Sequence, residues 1–295
     1  MGPSERIAMD QIEVDLHLHT NYSDGALSPA ELVQLCYERG LRTIAITDHD
    51  TTFGLPEAQI YACKLGMKLI NGIELGTQYM EDEVHILGYG VDFQDSRLQE
   101  KLSTLREGRL SRGRKIVEKL SAIGIKITWE QVETIASGAS VGRPHVAMAL
   151  VQLGYSVNIK EAFTNYLNVD APGFVPREMT TPVEAVKILK ENGSIPVLAH
   201  PLLSNTKSGR KSIENLDDLL PQICEAGLEG IEVFYGDYNS SQISYISQIA
   251  EKYSLIKCGG SDYHNSENPD DPHPGDVGPP KHSLDQLCLA ISRAS

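Results

Sequence analysis

Seven short runs rich in aliphatic and β-branched residues punctuate the chain: Ile12–His17, Arg42–Thr47, Lys68–Leu75, Glu83–Val91, Ser194–Ala199, Leu228–Phe234 and Leu255–Gly260. Their length and composition predict strands, and the stretches between them are read as helical. Ser28-Pro29-Ala30-Glu31 has the chemistry of a helix start: an N-cap hydroxyl, proline at the first position and a glutamate at the third. Leu32, Leu35 and Cys36 keep helical spacing after it, and Gly40 supplies the stop. Thr181-Pro182-Val183-Glu184 repeats that start before Val186 and Leu189, and Gly193 closes the segment. Strands alternating with helices imply an α/β fold with parallel pairing, either a barrel or a doubly wound sheet.

The alternation stops between about Asp95 and Val169, where no strand pattern is found. Leu98, Leu102, Leu105, Leu110, Ile116, Val117 and Leu120 give Ser96–Leu120 a helical stripe, and Val141–Leu153 and Lys160–Leu167 read as shorter helical pieces. The expected organisation is one α/β domain made of residues 1–95 and 170–295, interrupted by a helical insertion at 96–169. Trp129 reads as core of the insertion. Asn265–Pro280, rich in proline, aspartate and glycine, reads as a loop without regular structure, and His273 and His282 as surface residues.

Composition narrows the function classes. A chain of 295 residues with 41% hydrophobic and 22% charged residues can bury a sizeable core. The 26 Lys and Arg against 40 Asp and Glu give a net charge of −14, which argues against bulk electrostatic binding of long duplex nucleic acid. A small phosphorylated ligand remains compatible, because a few cations in a pocket reverse the local field. The basic residues gather in the insertion, where Arg97 to Lys119 holds eight Lys and Arg against three Glu. The five cysteines are scattered with no C-x-x-C pair, so neither a disulfide framework nor a thiolate zinc site is expected. The opening Met1–Gln11 lacks the apolar core of a signal peptide, and no run approaches the ~20 residues of a membrane span. A reduced, cytoplasmic protein with no membrane partner is the expectation.

The histidines are unevenly placed. His17 and His19 sit two apart at the end of the first strand run and leave it on one face. His49 closes the second run, Glu74 the third and His200 the fifth; His85 lies in the fourth, and Asp262 and His264 follow the seventh. Six of the seven predicted strands thus carry a His, Asp or Glu at or near the C-terminal end, the edge on which parallel barrels build active sites. Imidazoles and carboxylates without thiolates suit zinc, manganese or iron.

The ordered motifs H-x-H (His17, His19), S-D-G (Asp24), T-D-H-D (His49), G-I-E (Glu74), H-I-L-G-Y (His85), A-H-P (His200) and G-S-D-x-H (Asp262, His264) resemble those of the PHP (polymerase and histidinol phosphatase) family over nearly the whole chain. The resemblance implies a distorted (β/α)7 barrel with up to three divalent metals, manganese first among them and zinc or iron as alternatives. Carried over motif by motif, the first metal falls to His17, His19, Glu74 and Asp262, the second to Glu74, His85 and His200, and the third to Asp24, His49 and His264. Glu74, Asp262 and His264 would also carry catalysis, with hydroxide shared between two ions attacking phosphorus in line. Asp48 and Asp50 are expected to orient imidazoles from behind.

The helical insertion and Gly142-Arg143-Pro144-His145 further resemble the branch acting on 3′,5′-nucleoside bisphosphates and, as 5′-to-3′ exoribonuclease, on short RNA. Residues 96–169 would then cap a small nucleotide or short oligonucleotide. Arg143 and His145, between a glycine and a helix, are placed to grip a phosphate. Arg177, where the chain returns from the insertion, and Arg109 with Arg106 at i, i+3 spacing, are further candidate contacts. Tyr235 is a candidate pocket-lining residue. Three competing readings are weighed against this one. An amidohydrolase would place a lysine at the fourth strand, where this chain has His85. A silent metal-binding module would have lost ligands, which this chain retains. A histidinol-phosphate-type phosphatase would lack the insertion.

Overall fold

The computed structural model describes residues 12–80, 82–136, 140–176, 180–202, 204–206, 209–211, 216–264 and 272–294. Arg177 and the opening segment Met1–Gln11 therefore lie outside the described residues. Within them the chain runs β1 (Val14–Asp15), α1 (Pro29–Glu38), β2 (Thr43–Ile46), α2 (Leu55–Leu65), β3 (Lys68–Tyr79) and β4 (Asp82–Tyr89). The helices α3 (Ser96–Ala122), α4 (Trp129–Ala136), α5 (Arg143–Gln152) and α6 (Ile159–Ala162) follow, the last continuing as a π-helical turn, Phe163–Leu167. The chain resumes with α7 (Pro182–Glu191), β5 (Ile195–Leu198), the small hairpin β6 (Ser204–Thr206) and β7 (Gly209–Lys211), and α8 (Leu216–Ala226). It ends with β8 (Gly230–Tyr235), α9 (Ser240–Lys252), β9 (Ile256–Gly260) and α10 (Lys281–Ala294).

Seven strands form one sheet in the order β1-β2-β3-β4-β5-β8-β9. Its edges approach each other through a parallel bridge between Leu18 and Tyr263 and a 3.3 Å bond from Leu16 N–H to the Gly259 carbonyl, so the barrel is nearly closed. Strand alternation divides the side chains. Ile73, Leu75, Ile86, Leu198, Ile231 and Val233 pack against α7, α8 and α9. Ile44 and Ile46 pack against α1 and α2. On the other face Leu16, Ala45, Ile70, Leu87, Val197 and Cys258 join Leu287 of α10, and the Tyr89 hydroxyl donates to the Leu16 carbonyl at 2.9 Å. The barrel interior is thereby filled from one end, which leaves polar interior positions to gather at the other.

Uniform parallel pairing does not hold. β3 pairs antiparallel with β4, and β4 antiparallel with β5, while the other pairs in the barrel are parallel. The cause is length: β3 runs on to Tyr79 and turns directly into β4, and a connection this short cannot carry the crossover that parallel neighbours need. The two sequence-read capping boxes form, Ser28 with Glu31 and Thr181 with Glu184, and Gly40 takes a φ of 89° after α1.

Helices α3 to α6 enclose a second apolar cluster around Ile116, Val117, Leu120, Val132, Val146, Leu150 and Leu167. Trp129 packs against it with the Arg114 guanidinium 5.1 Å from its ring. The first turns of α3 belong elsewhere, since Leu98 and Leu102 are buried in the core under α7 and α8. Residues 272–280 contain neither helix nor strand, and His273 and His282 are exposed. No described helix is long and apolar enough to cross a membrane.

Candidate metal centre

Nine side chains from six strands and the loop after β1 meet at the open end. His17 and His19 leave β1, His49 follows β2, Glu74 lies in β3, His200 follows β5, and Asp262 and His264 follow β9. His85 is in the first half of β4. Antiparallel pairing turns that half toward the ends of the parallel strands, and the register sets His85 beside Gly76. Backbone bonds clamp the centre: Glu74 N–H donates to the Asp48 carbonyl at 3.2 Å and Asp50 N–H to the Glu74 carbonyl at 2.9 Å.

Glu74 is the hub, and its two oxygens serve different rings. Oε1 lies 2.8 Å from His85 Nδ1 and 3.1 Å from His200 Nε2. Oε2 lies 3.4 Å from His17 Nε2, 3.3 Å from His19 Nε2 and 3.0 Å from His49 Nδ1. Asp262 Oδ1 is 3.2 Å from His17 Nε2 and 3.1 Å from His19 Nε2, and its Oδ2 accepts from the Tyr235 hydroxyl at 2.7 Å. Asp24 faces His264 Nε2 at 3.3 Å, His49 Nε2 at 3.6 Å and His19 Nδ1 at 3.8 Å.

These residues form four groups whose ligand atoms lie within 4.8 Å of one another: His19, Asp24, His49 and His264; His17, His19 and Asp262; His17, Glu74 and His200; His49, Glu74 and His85. The grouping overlaps the one implied by the family motifs but divides the rings differently, because His49 points one nitrogen at Glu74 and the other at Asp24. The donor set fits divalent cations. His17 Nε2, His19 Nε2, Asp24 Oδ1, His49 Nδ1, Glu74 Oε2 and both His85 nitrogens are buried without a hydrogen-bond partner, an arrangement that costs free energy unless a cation lies between them.

The electrostatics agree. Burial opposes charge on Asp24, Glu74, Asp262, His17, His19, His49 and His85, yet all of them except His49 are held ionised by the opposite charges around them. His49, His85 and His17 keep Glu74 well below the usual carboxylate range. His17 and His264 do the same for Asp262, and His49 and His264 for Asp24. Against burial, Asp262 and Glu74 push His19 up to about 10, and Glu74 and then Glu83 push His85 up to about 9. Burial wins only at His49, which is pushed down to about 3. In the metal-free protein, imidazolium protons thus stand where cations would.

The backbone is strained here. His200 has a φ of 25° and Asp262 of 56°, sparsely populated for non-glycine residues at about 1–3 kcal/mol each. At Gly260 an added Cβ would lie 2.4 Å from the His17 nitrogen and 2.6 Å from the His17 Cβ, so only glycine lets β9 approach β1 this closely. Gly260→Ala is expected to cost roughly 1–3 kcal/mol of stability and to lower bound metal, read by chemical denaturation and metal analysis.

The remaining sequence candidates are placed differently from one another. Asp48 binds Thr20 N–H at 2.7 Å, Thr20 hydroxyl at 2.6 Å and Ser23 hydroxyl at 2.7 Å, so it braces the loop carrying Asp24 instead of touching a ring. Asp50 accepts from Gly76 N–H at 3.1 Å and pairs with the buried Arg109 guanidinium, while its carbonyl accepts from Arg106 at 3.0 Å. Arg143 reaches the rim of the site but is ion-paired to Glu83, which Arg112 also approaches at 4.0 Å. His145 is buried: its Nδ1 accepts from Gly142 N–H at 3.0 Å, and it also hydrogen-bonds the Ser23 backbone. With Ser140 N–H bonded to the Tyr22 carbonyl at 3.0 Å, this docks the insertion onto the Asp24 loop. The sequence reading missed Glu83 and Glu232. The latter is fully buried on β8, and its only signal is one acid inside the apolar run Gly230–Tyr235.

A nearly closed barrel that presents imidazoles and carboxylates around a shared glutamate defines a metal-dependent hydrolase. Residues 15–139 match the PHP domain. The chain is 33% identical over 252 residues to a 3′,5′-nucleoside bisphosphate phosphatase of Chromobacterium violaceum, covering 85% of this chain and 87% of that one. It is also 33% identical over 254 residues to the 5′-3′ exoribonuclease Rnm of Salmonella typhimurium, covering 85% and 84%. Among solved structures, a protein of Bifidobacterium adolescentis described as a metal-dependent phosphoesterase superposes with a TM-score of 0.85 at 28% identity, covering 94% and 96%. The chain belongs to the PHP family, and it is a hydrolase of phosphoester bonds.

Proposed function

We propose that this protein removes the 3′-phosphate of 3′,5′-nucleoside bisphosphates, processes 5′-phosphorylated short RNA, or does both. The observation that carries the reading is Glu74, with two rings on one oxygen and three on the other. The activities of the Chromobacterium violaceum and Salmonella typhimurium relatives support the substrate class. His17, His19, Asp24, His49, Glu74, His85, His200, Asp262 and His264 would hold up to three divalent ions, manganese first. Bound there, the ions supply Lewis acidity and an activated water at neutral pH.

The chain's own residues do the rest. Glu74 would be the ligand common to both sides of the site, since its two oxygens face separate sets of rings. Asp262, fixed by Tyr235, orients the inner face of the site. His264, 29% exposed, stands at the mouth beside Asp24 and would meet the scissile phosphate first. Residues 96–169 would form a cap over the substrate. Within it Arg143, on the rim, would exchange Glu83 for a second phosphate, while Arg109 on Asp50 and His145 on the Ser23 backbone would hold the cap in register.

A side-by-side assay of 3′-phosphoadenosine 5′-phosphate, histidinol phosphate and a short 5′-phosphorylated RNA tests the reading. Preference for histidinol phosphate would overturn it. Arg143→Ala should lower kcat/KM for the bisphosphate roughly 10–100-fold, the worth of one charged hydrogen bond, and affect a simple phosphomonoester far less. Equal losses on both would remove Arg143 from substrate recognition.

A further inference from the structure

Glu232 sits in the middle of β8 with Ile231 and Val233 turned to the helices and its own side chain turned to the barrel interior, fully buried. Its partner across the sheet is Cys258, and the register shifts between Glu232 and Phe234, which re-aims the strand at this point. The two carboxylate oxygens have separate tasks. Oε1 lies 3.0 Å from Nδ1 of His17, and Oε2 accepts from the backbone N–H of His200 at 2.9 Å.

Each contact constrains a group that faces Glu74. A carboxylate has no proton to offer, so a neutral His17 must carry its proton on Nδ1. Its Nε2 lone pair then points at the space bounded by Glu74 Oε2 at 3.4 Å and Asp262 Oδ1 at 3.2 Å, where that nitrogen has no hydrogen-bond partner. His200, with its φ of 25°, needs an acceptor to hold its amide, and its Nε2 lies 3.1 Å from Glu74 Oε1. One buried acid therefore ties a ring from β1 to a backbone amide after β5.

We propose that Glu232 is a positioning residue, setting the His17 tautomer and the His200 backbone together so that both Nε2 atoms face Glu74 as ligand atoms for divalent ions. The proposal rests on the metal-dependent reading above. Partners behind a ligating imidazole fix its orientation and basicity, and their loss weakens metal binding about 10–100-fold.

Glu232→Gln is the discriminating change. Two donors face Glu232, whereas glutamine offers one acceptor oxygen and one NH₂ group. Either way the amide is turned, a donor meets a donor or His17 moves its proton to Nε2. The variant is expected to bind Zn²⁺ roughly 10–100-fold more weakly, by competition with a chromophoric chelator, while its metal-free form keeps the wild-type circular dichroism. Unchanged zinc affinity would overturn the proposal. If the glutamine variant does not fold, long-range ¹H–¹⁵N spectra of the zinc-loaded wild-type protein decide: the proton of His17 is expected on Nδ1, and a proton on Nε2 would overturn it. A wild-type protein that binds zinc and hydrolyses phosphate esters, with a glutamine variant of equal zinc affinity, removes Glu232 alone. A wild-type protein that binds no divalent ion removes the metal-dependent reading as well.

Discussion

Glu74→Gln is expected to lower phosphoester hydrolysis by at least about 10³-fold, the rate equivalent of about 4 kcal/mol of transition-state charge stabilisation. The magnitude follows from the position. Oε1 serves His85 and His200, Oε2 serves His17, His19 and His49, and Oε2 has no hydrogen-bond donor of its own. A glutamine must turn an NH₂ group toward one of the two sets, so it removes charge from both and an acceptor from one. The side chain is nearly isosteric and the backbone bonds to Asp48 and Asp50 do not involve it, so the fold should persist. Steady-state kinetics with metal analysis checks this; turnover within tenfold of wild type at unchanged metal content would remove Glu74 from the centre of the reaction.

Stripping divalent ions should abolish turnover, and Mn²⁺ should restore it. Proton traffic gives an independent readout. His19, pushed up to about 10, and His85, pushed up to about 9, are protonated in the metal-free site at neutral pH, against the depressing effect of their burial. Against its burial, His17 is likewise held well above the usual imidazole value by Glu232, Asp262 and Glu74. A metal takes only the neutral ring, so loading must release protons, on the order of three in all at pH 7, and affinity must rise with pH. Calorimetry in two buffers of different ionisation enthalpy measures the release directly. Full turnover after rigorous chelation, or loading without proton release, would contradict the arrangement.

Much of this was legible in the sequence because strand ends and ligand motifs coincide. The seven barrel strands sit within a few residues of the apolar runs, and the nine site residues converge as their strand-end positions imply. What was not legible depended on pairing across long separations. The antiparallel turn of β4 was hidden because the gap after Leu75 was read as helix, whereas β3 runs on to Tyr79. β1 is only Val14–Asp15, since the chain leaves the sheet to present His17 and His19. Arg109 and Arg143 read as candidate phosphate contacts; their ion-pair partners Asp50 and Glu83 lie 59 and 60 residues away in the chain, beyond the reach of any local pattern. Glu232 escaped notice because a lone acid in a strand more often marks a solvated face.

The long helix α3 has a consequence for how this protein can change. Leu98 and Leu102 are set in one core, Ile116, Val117 and Leu120 in another, and Arg109 between them grips Asp50. A single residue added between Leu102 and Arg109 would rotate everything beyond it by about 100°. Arg109 would leave Asp50, and the second apolar stripe would turn to water. Helical phase therefore acts as a ruler: substitutions can accumulate along the exposed face of α3, but a change of length within the span that joins the two cores cannot be absorbed.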